Sequence, residues 1–199
     1  MKTTIDKRKP NGIVDYIAIA LTTWGVGYLP LMPGTFGSMV GVGIYLAVTA
    51  ASISIAFVFA PFSEPMLPFL ASHPNYFIPE TAFAWIHVGV LILFLCFTLL
   101  GVWASGRATE LLGNTDPPEA VVDEVIGQLI TFLFVPFGIG WPLVLAGFAL
   151  FRIFDIWKPY PIDSLQVLPG GIGVCADDIL AGVYAGISLS IIYAVSLSF

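Results

Sequence analysis

Hydrophobic residues in this chain come in long uncharged runs, and the charged residues gather between them. Ser38 to Phe62 carries no charge, and about 20 apolar residues suffice for a helix to cross a bilayer. Ala82 to Ser105 and Ile179 to Phe199 are two further runs of this kind. Ile13 to Leu31 is apolar but broken by Asp15, Gly25, Gly27 and Pro30. It predicts an interfacial or re-entrant helix more than a clean span. Val125 to Phe137 and Trp141 to Phe154 are short runs divided by Pro136, Gly138, Gly140 and Pro142. Each is roughly 20 Å long as a helix, less than the roughly 30 Å hydrocarbon core. They predict a tight pair that enters the membrane and returns.

The segments between the runs carry the polar residues. Pro33-Gly34-Thr35-Phe36-Gly37-Ser38 predicts a turn feeding the next helix. The 61–81 loop is rich in proline, with Glu64 and Glu80 but no Lys or Arg. Gly106 to Glu124 is the most polar internal loop, and Pro117-Pro118 are placed to start a short helix. Ile162 to Ala176 predicts a loop containing Gly170, Gly171 and Gly173, after which Asp177-Asp178 open the last span.

Composition sharpens this picture. The 199 residues are 58% hydrophobic and 10% charged, whereas a soluble domain averages about 25% charged. The fold class is therefore an all-α integral membrane protein. It is a multi-span helical bundle with short re-entrant or broken helices around a cytoplasmic-face site, forming one domain over 1–199. Basic residues are too few for a nucleic-acid partner. Two cysteines do not suggest a disulfide framework. The polar, basic start of the chain does not resemble a signal peptide. Oligomeric state leaves no mark in the sequence.

The placement of charge orients the bundle. With a basic cytoplasmic tail over 1–12 and an external loop over 61–81, all seven basic residues fall on the cytoplasmic face. These are Lys2, Lys7, Arg8, Lys9, Arg107, Arg152 and Lys158, and this distribution obeys the positive-inside rule. The same topology gathers Thr35, Asp123, Glu124, Asp155, Asp177 and Asp178 on that face. A single crossing by 125–154 would instead separate Glu124 from Asp155.

Three acidic stations thus converge: Asp123-Glu124, Asp155 and Asp177-Asp178. Hard carboxylates with no nearby His or Cys pattern suit Mg²⁺ better than zinc. Neighbours on a helix point about 100° apart, so one acid of each pair is placed for a metal and the other to cap a helix or bind a lysine. Arg152, Asp155 and Lys158 stand at i, i+3 and i+6 before Pro159 and Pro161, which end the helix. The two cations predict an anion site beside the metal. Gly34, Thr35 and Ser38, at a helix start, offer backbone N–H groups and hydroxyls to the same anion. On its own, each feature also fits a plain helix end at the lipid headgroups, with Trp157 and Tyr160 as anchors. His73 and His87 fall away from the cluster, in the loop and within a span. No cysteine or histidine is placed for a covalent phosphoryl intermediate, which leaves a metal-activated water or a carboxylate nucleophile.

Four blocks resemble the phosphatidylglycerophosphatase A family. They are Pro30-Leu31-Met32-Pro33-Gly34-Thr35-Phe36-Gly37-Ser38, Val122-Asp123-Glu124-Val125-Ile126-Gly127, the run from Phe151 to Pro161 (FRIFDIWKPYP), and the run from Gly170 to Gly182 (GGIGVCADDILAG). Their order and spacing also match. The resemblance implies a Mg²⁺-dependent lipid phosphatase of the bacterial inner membrane, multi-pass, acting on a phospholipid substrate in the bilayer. It would convert phosphatidylglycerophosphate to phosphatidylglycerol and inorganic phosphate. By matching blocks, Asp123, Glu124, Asp155, Asp177 and Asp178 would hold metal. Asp123, Glu124, Asp155, Asp178 and Arg152 would be catalytic, and Arg152, Lys158, Gly34, Thr35 and Ser38 would bind substrate. The alternatives are a phosphatase for another lipid phosphate, an ion-coupled transporter, and a non-catalytic binder of anionic lipid.

Overall fold

A computed structural model of the chain describes residues 4–59 and 80–198. Lys2, His73 and residues 61–79 of the expected external loop lie outside them. The described residues form α1 (Ile13–Thr23), a 3-10 turn (Val26–Tyr28), α2 (Pro33–Phe59), α3 (Glu80–Leu112), α4 (Val122–Phe132), α5 (Trp141–Trp157), a 3-10 helix (Ile162–Val167) and α6 (Gly170–Ser196). Three of them, over Pro33–Ala56, Ala84–Leu112 and Gly170–Ser196, are long and apolar enough to cross a membrane. Leucines along α3, such as Leu93 and Leu99, lie on the surface. A bilayer supplies their solvent, because lipid tails are as apolar as leucine.

The element boundaries depart from the sequence expectation in several places: Pro117-Pro118 start no helix, since α4 begins only at Val122, and Ile162–Val167 is a 3-10 helix where a loop was expected. Pro33 to Ser38 is not a turn before a helix but the first turns of α2. Pro33 stands at the helix start, where its fixed φ is preorganised and its missing N–H costs nothing. α3 runs on through Arg107 and Glu110 to Leu112 and ends at Gly113, whose φ is +80°. α6 begins at Gly170, so 170–176 is helix rather than loop and Asp177-Asp178 do not open it. Gly171 lies so close to the Val102 carbonyl of α3 that a Cβ has no room. Glycines that read as a flexible connector are therefore a helix-packing surface.

Two short helices organise the interior. α4 has 11 residues and α5 has 17, about 16 and 25 Å at 1.5 Å per residue. α4 is wrapped by α2 and α6, and α5 lies against α6. Val122, Val125 and Ile126 are fully buried. Lower down, the rings of Tyr45 on α2 and Phe132 on α4 stack at 4.2 Å. Small residues set the close approaches. Gly127 of α4 and Gly182 of α6 meet backbone to backbone, and Thr131 Oγ1 donates to the Gly127 carbonyl at 3.1 Å. Gly34, Gly37 and Gly41 of α2 lie against Glu124, Val121 and Gln128 of α4.

The described part of the basic tail is pinned to the bundle. Ile5 N–H donates to the Gly113 carbonyl at 3.1 Å, and Arg8 N–H to that of Glu110 at 3.0 Å. Asp15, fully buried on α1, accepts from Arg8 at 2.9 and 3.0 Å and from Arg107 of α3 at 2.5 Å. The sequence reading had marked Asp15 only as an interruption of an apolar run.

Candidate metal and anion site

The close crossing of Gly127 and Gly182 lies one turn beyond two acidic pairs. Glu124 precedes Gly127 by three residues, and Asp178 precedes Gly182 by four. Residues three or four apart share a helix face, so the crossing delivers both acids to one place. Carboxylate oxygens of Asp123, Glu124 and Asp178 lie within 4.8 Å of one another. Asp123 and Asp178 are 7% and 3% exposed. One buried oxygen in each of the three has no hydrogen-bond partner among the described residues, and none of them pairs with a Lys or Arg. Burial pushes the Asp123 and Glu124 carboxyls above their usual range, and repulsion adds to it, from Asp116 and Asp177 at Asp123 and from Asp123 and Asp155 at Glu124.

The other two acids are in a different state. Asp155, near the end of α5, accepts from Arg152 at 2.6 Å and lies 3.9 Å from Lys158 Nζ. Asp177 Oδ2 accepts from Lys158 at 2.5 Å and from Gln166 Nε2 at 3.0 Å, while its Oδ1 is buried without a partner. Lys158 caps α5 in the left-handed conformation (φ 45°), with its N–H on the Phe154 carbonyl. Burial pushes its ammonium down, but Asp177 and its neighbours outweigh that and raise it overall. Five carboxylates therefore divide into an uncompensated triad and a pair neutralised by the two cations.

Asp123, Glu124, Asp155, Lys158, Asp177 and Asp178 all line one cavity of about 770 Å³. Its floor is deep. Asp177 lies seven residues into α6, about 10 Å below the helix start at 1.5 Å per residue. An Asp at that depth does not cap the helix, which disposes of the plain helix-end explanation for this pair. The start of α4 and the end of α5 meet at this cavity, so Glu124 and Asp155 share one end of the bundle.

The α2 residues enter differently from their expected role. Ser38 is buried, its hydroxyl donating to the Gly34 carbonyl at 2.9 Å and accepting from Arg152 at 3.3 Å. Thr35 N–H is taken by the Met32 carbonyl at 2.9 Å. Gly34 touches the Glu124 carboxylate, and a Cβ there would collide with it. Of these residues and their neighbours Pro33 and Arg152, Pro33 alone lines the cavity. Arg152 stands behind it, tying Asp155 to α2. Gln166 was missed in the sequence, where nothing links an isolated glutamine to an acid 11 residues later.

The chemistry of the triad suits a hard divalent cation, since three anionic oxygen donors with unfilled acceptor capacity are what such ions take. Beside it, Lys158 is an ammonium within reach of an anion in the same cavity. A model of the family described as phosphatidylglycerophosphatase A matches residues 19–193. A Bacteroides thetaiotaomicron protein named "Putative phosphatidylinositol-3-phosphatase" is 37% identical over 171 residues, covering 85% of this chain and 89% of that protein. Phosphatidylglycerophosphatase A of Escherichia coli K12 is 31% identical over 171 residues, 85% of this chain and 77% of the relative. That of Haemophilus influenzae is 41% identical over 101 residues, 49% and 61% of the two chains. No solved structure matches. The family match takes in every acid of the cavity, Lys158 within it and Arg152 behind it, and on it the chain belongs to the phosphatidylglycerophosphatase A family.

Proposed function

We propose that this protein removes the terminal phosphate of phosphatidylglycerophosphate, giving phosphatidylglycerol and inorganic phosphate, and that it requires Mg²⁺. The observation that carries the reading is the buried, uncompensated triad Asp123, Glu124 and Asp178 beside Lys158 in one cavity. Asp123, Glu124 and Asp178 would hold the metal, with Asp177 Oδ1 as a further donor. Bound Mg²⁺ supplies positive charge that offsets the carboxylates and polarises phosphoryl oxygens. Lys158 takes a phosphate oxygen and stabilises the charge that develops on it. Water adds to phosphorus while the bond from phosphorus to the glycerol oxygen breaks. A carboxylate at the floor accepts the water proton and passes it to the departing glycerol oxygen. Arg152 holds Asp155 in place through its bonds to Asp155 and Ser38.

Residues 1–199 act as one membrane-embedded unit in this reading. α4 and α5 enter the bilayer and return, and the cavity faces the cytoplasm of a bacterial inner membrane. Support comes from the short lengths of α4 and α5, from their shared cavity and from the basic residues at that end. A second reading, hydrolysis of another lipid phosphate, is favoured by the name of the Bacteroides relative. The test is phosphate release by purified protein in detergent from phosphatidylglycerophosphate and from phosphatidic acid, with Mg²⁺ and with chelator. Metal-dependent release from the first substrate is expected. Release from neither by folded protein would overturn the proposal.

A further inference from the structure

The cavity is larger than one phosphate needs, and its rim differs from its floor. The 3-10 helix Ile162–Val167 forms part of the rim. A 3-10 helix has three residues per turn, so side chains three apart eclipse. Asp163 and Gln166 accordingly share one face, and both line the cavity. The helix is fixed at two points. Ile162 is fully buried and clusters with Phe151, Ala181 and Ala185, and Gln166 Nε2 donates to Asp177 Oδ2 at 3.0 Å. That leaves Gln166 Oε1 and the Asp163 carboxylate as acceptors with no partner among the described residues. Both residues line the same cavity as the floor carboxylates.

We propose that Asp163 and Gln166 form a subsite for the polyol that carries the scissile phosphate. This rests on the lipid-phosphatase reading above and names its headgroup determinant. With the phosphate on Lys158, the one free hydroxyl of the phosphatidylglycerophosphate headgroup, at the middle carbon of its glycerol, donates between the Asp163 carboxylate and Gln166 Oε1. Lys158 and Gln166 share one oxygen of Asp177, so phosphate and polyol contacts begin from adjacent points. A phosphate attached directly to diacylglycerol has no hydroxyls to offer, and both acceptors then go unused. A site built to bond a hydroxyl discriminates most strongly against the analogue that lacks it.

The experiment compares inorganic phosphate with glycerol 3-phosphate as competitive inhibitors of phosphatidylglycerophosphate hydrolysis by the full chain. It is run on wild type, Asp163→Ala and Gln166→Ala. Both side chains are exposed, and replacing them leaves the core intact. Wild type is expected to bind glycerol 3-phosphate more tightly than inorganic phosphate. Each variant is expected to shrink that preference by about 3- to 10-fold, the scale of one hydrogen bond. Equal weakening of both inhibitors would show that Gln166 acts only through Asp177. That result in both variants, or no preference in wild type, overturns the subsite and leaves the hydrolase reading standing. If wild type hydrolyses no lipid phosphate, the hydrolase reading itself falls.

Discussion

At the scale of single residues, the acids of this protein differ in what balances them. Among the described residues Asp123, Glu124 and Asp178 form no ion pair with a Lys or Arg, so a bound divalent ion should stabilise the fold. A ligand that binds only the native state at 100 times its Kd adds about 2.7 kcal/mol. Mg²⁺ should therefore raise the thermal midpoint of the purified protein and chelator should lower it. Asp178→Asn should lose most of that response and reduce kcat/KM by about 100-fold or more, as for loss of one group that stabilises transition-state charge. A full Mg²⁺ response in Asp178→Asn would remove that residue from the metal site. Asp15 is the contrasting case. Its carboxyl is held well below the usual range, chiefly by Arg8, then by Asn11 N–H and Arg107. A carboxylate with a lowered folded pKa contributes stability above its unfolded value of about 3.9, and loses it as pH falls toward the folded value. Stability should thus decline below about pH 4, and Asp15→Asn should be less stable at neutral pH with a flatter acid arm. Thermal melts across pH would show this. The sequence displayed the acids as stations at the ends of apolar runs. Which acid meets which cation across helices depends on helix rotation and could not be read there. The i, i+3 spacing sets Arg152 beside Asp155 and one acid of each pair is placed to bind a lysine, but that Lys158 takes Asp177 is seen only in the structure.

At the scale of elements, the site exists because α4 and α6 cross without side chains between them. A Cβ on Gly182 would run into the Gly127 backbone, and one on Gly127 into Phe151 and the Asp178 carbonyl. Overpacking of this kind typically costs about 1–3 kcal/mol. Gly182→Val should lower the thermal midpoint and, by separating Glu124 from Asp178, weaken the Mg²⁺ response even where folding survives. The same substitution at Gly43, where nothing lies within 4 Å, should do neither. Near-normal Mg²⁺ stabilisation in Gly182→Val would mean that the crossing does not set the acid geometry. Apolar runs were a sufficient guide to the three long helices, because length and lack of charge are properties of the chain itself. They misplaced helix starts at Pro33 and Gly170, because proline and glycine signal a turn or a close-packed helix start with the same letters. Packing decides between the two, and packing involves residues far away in sequence.

At the scale of the whole molecule, the cavity opens at one end of the bundle, and membrane orientation decides which compartment supplies water and receives phosphate. The described basic residues Arg8, Arg107, Arg152 and Lys158 engage acids at that same end. Lys and Arg near the ends of spans bias a protein toward keeping them in the cytoplasm. The opposite end of the bundle, where α6 ends at Ser196, is then expected outside. Single cysteines test this in a background without Cys96 and Cys175, of which the first is exposed. Cysteines at Asn114 and Ser164 mark the segments flanking the cavity, and one at Ser198, just past the far end of α6, marks the opposite end. An impermeant thiol reagent added to intact cells should label only the Ser198 variant, and permeabilisation should expose the other two. Asn114 and Ser164 are informative together because they lie on opposite sides of the α4–α5 pair in sequence. If that pair enters and returns, both are protected. If it crosses once, one of them must be labelled from outside. Glu124 and Asp155 would then have to reach a common cavity from opposite faces of the membrane, which helices of about 16 and 25 Å joined end to end do not permit.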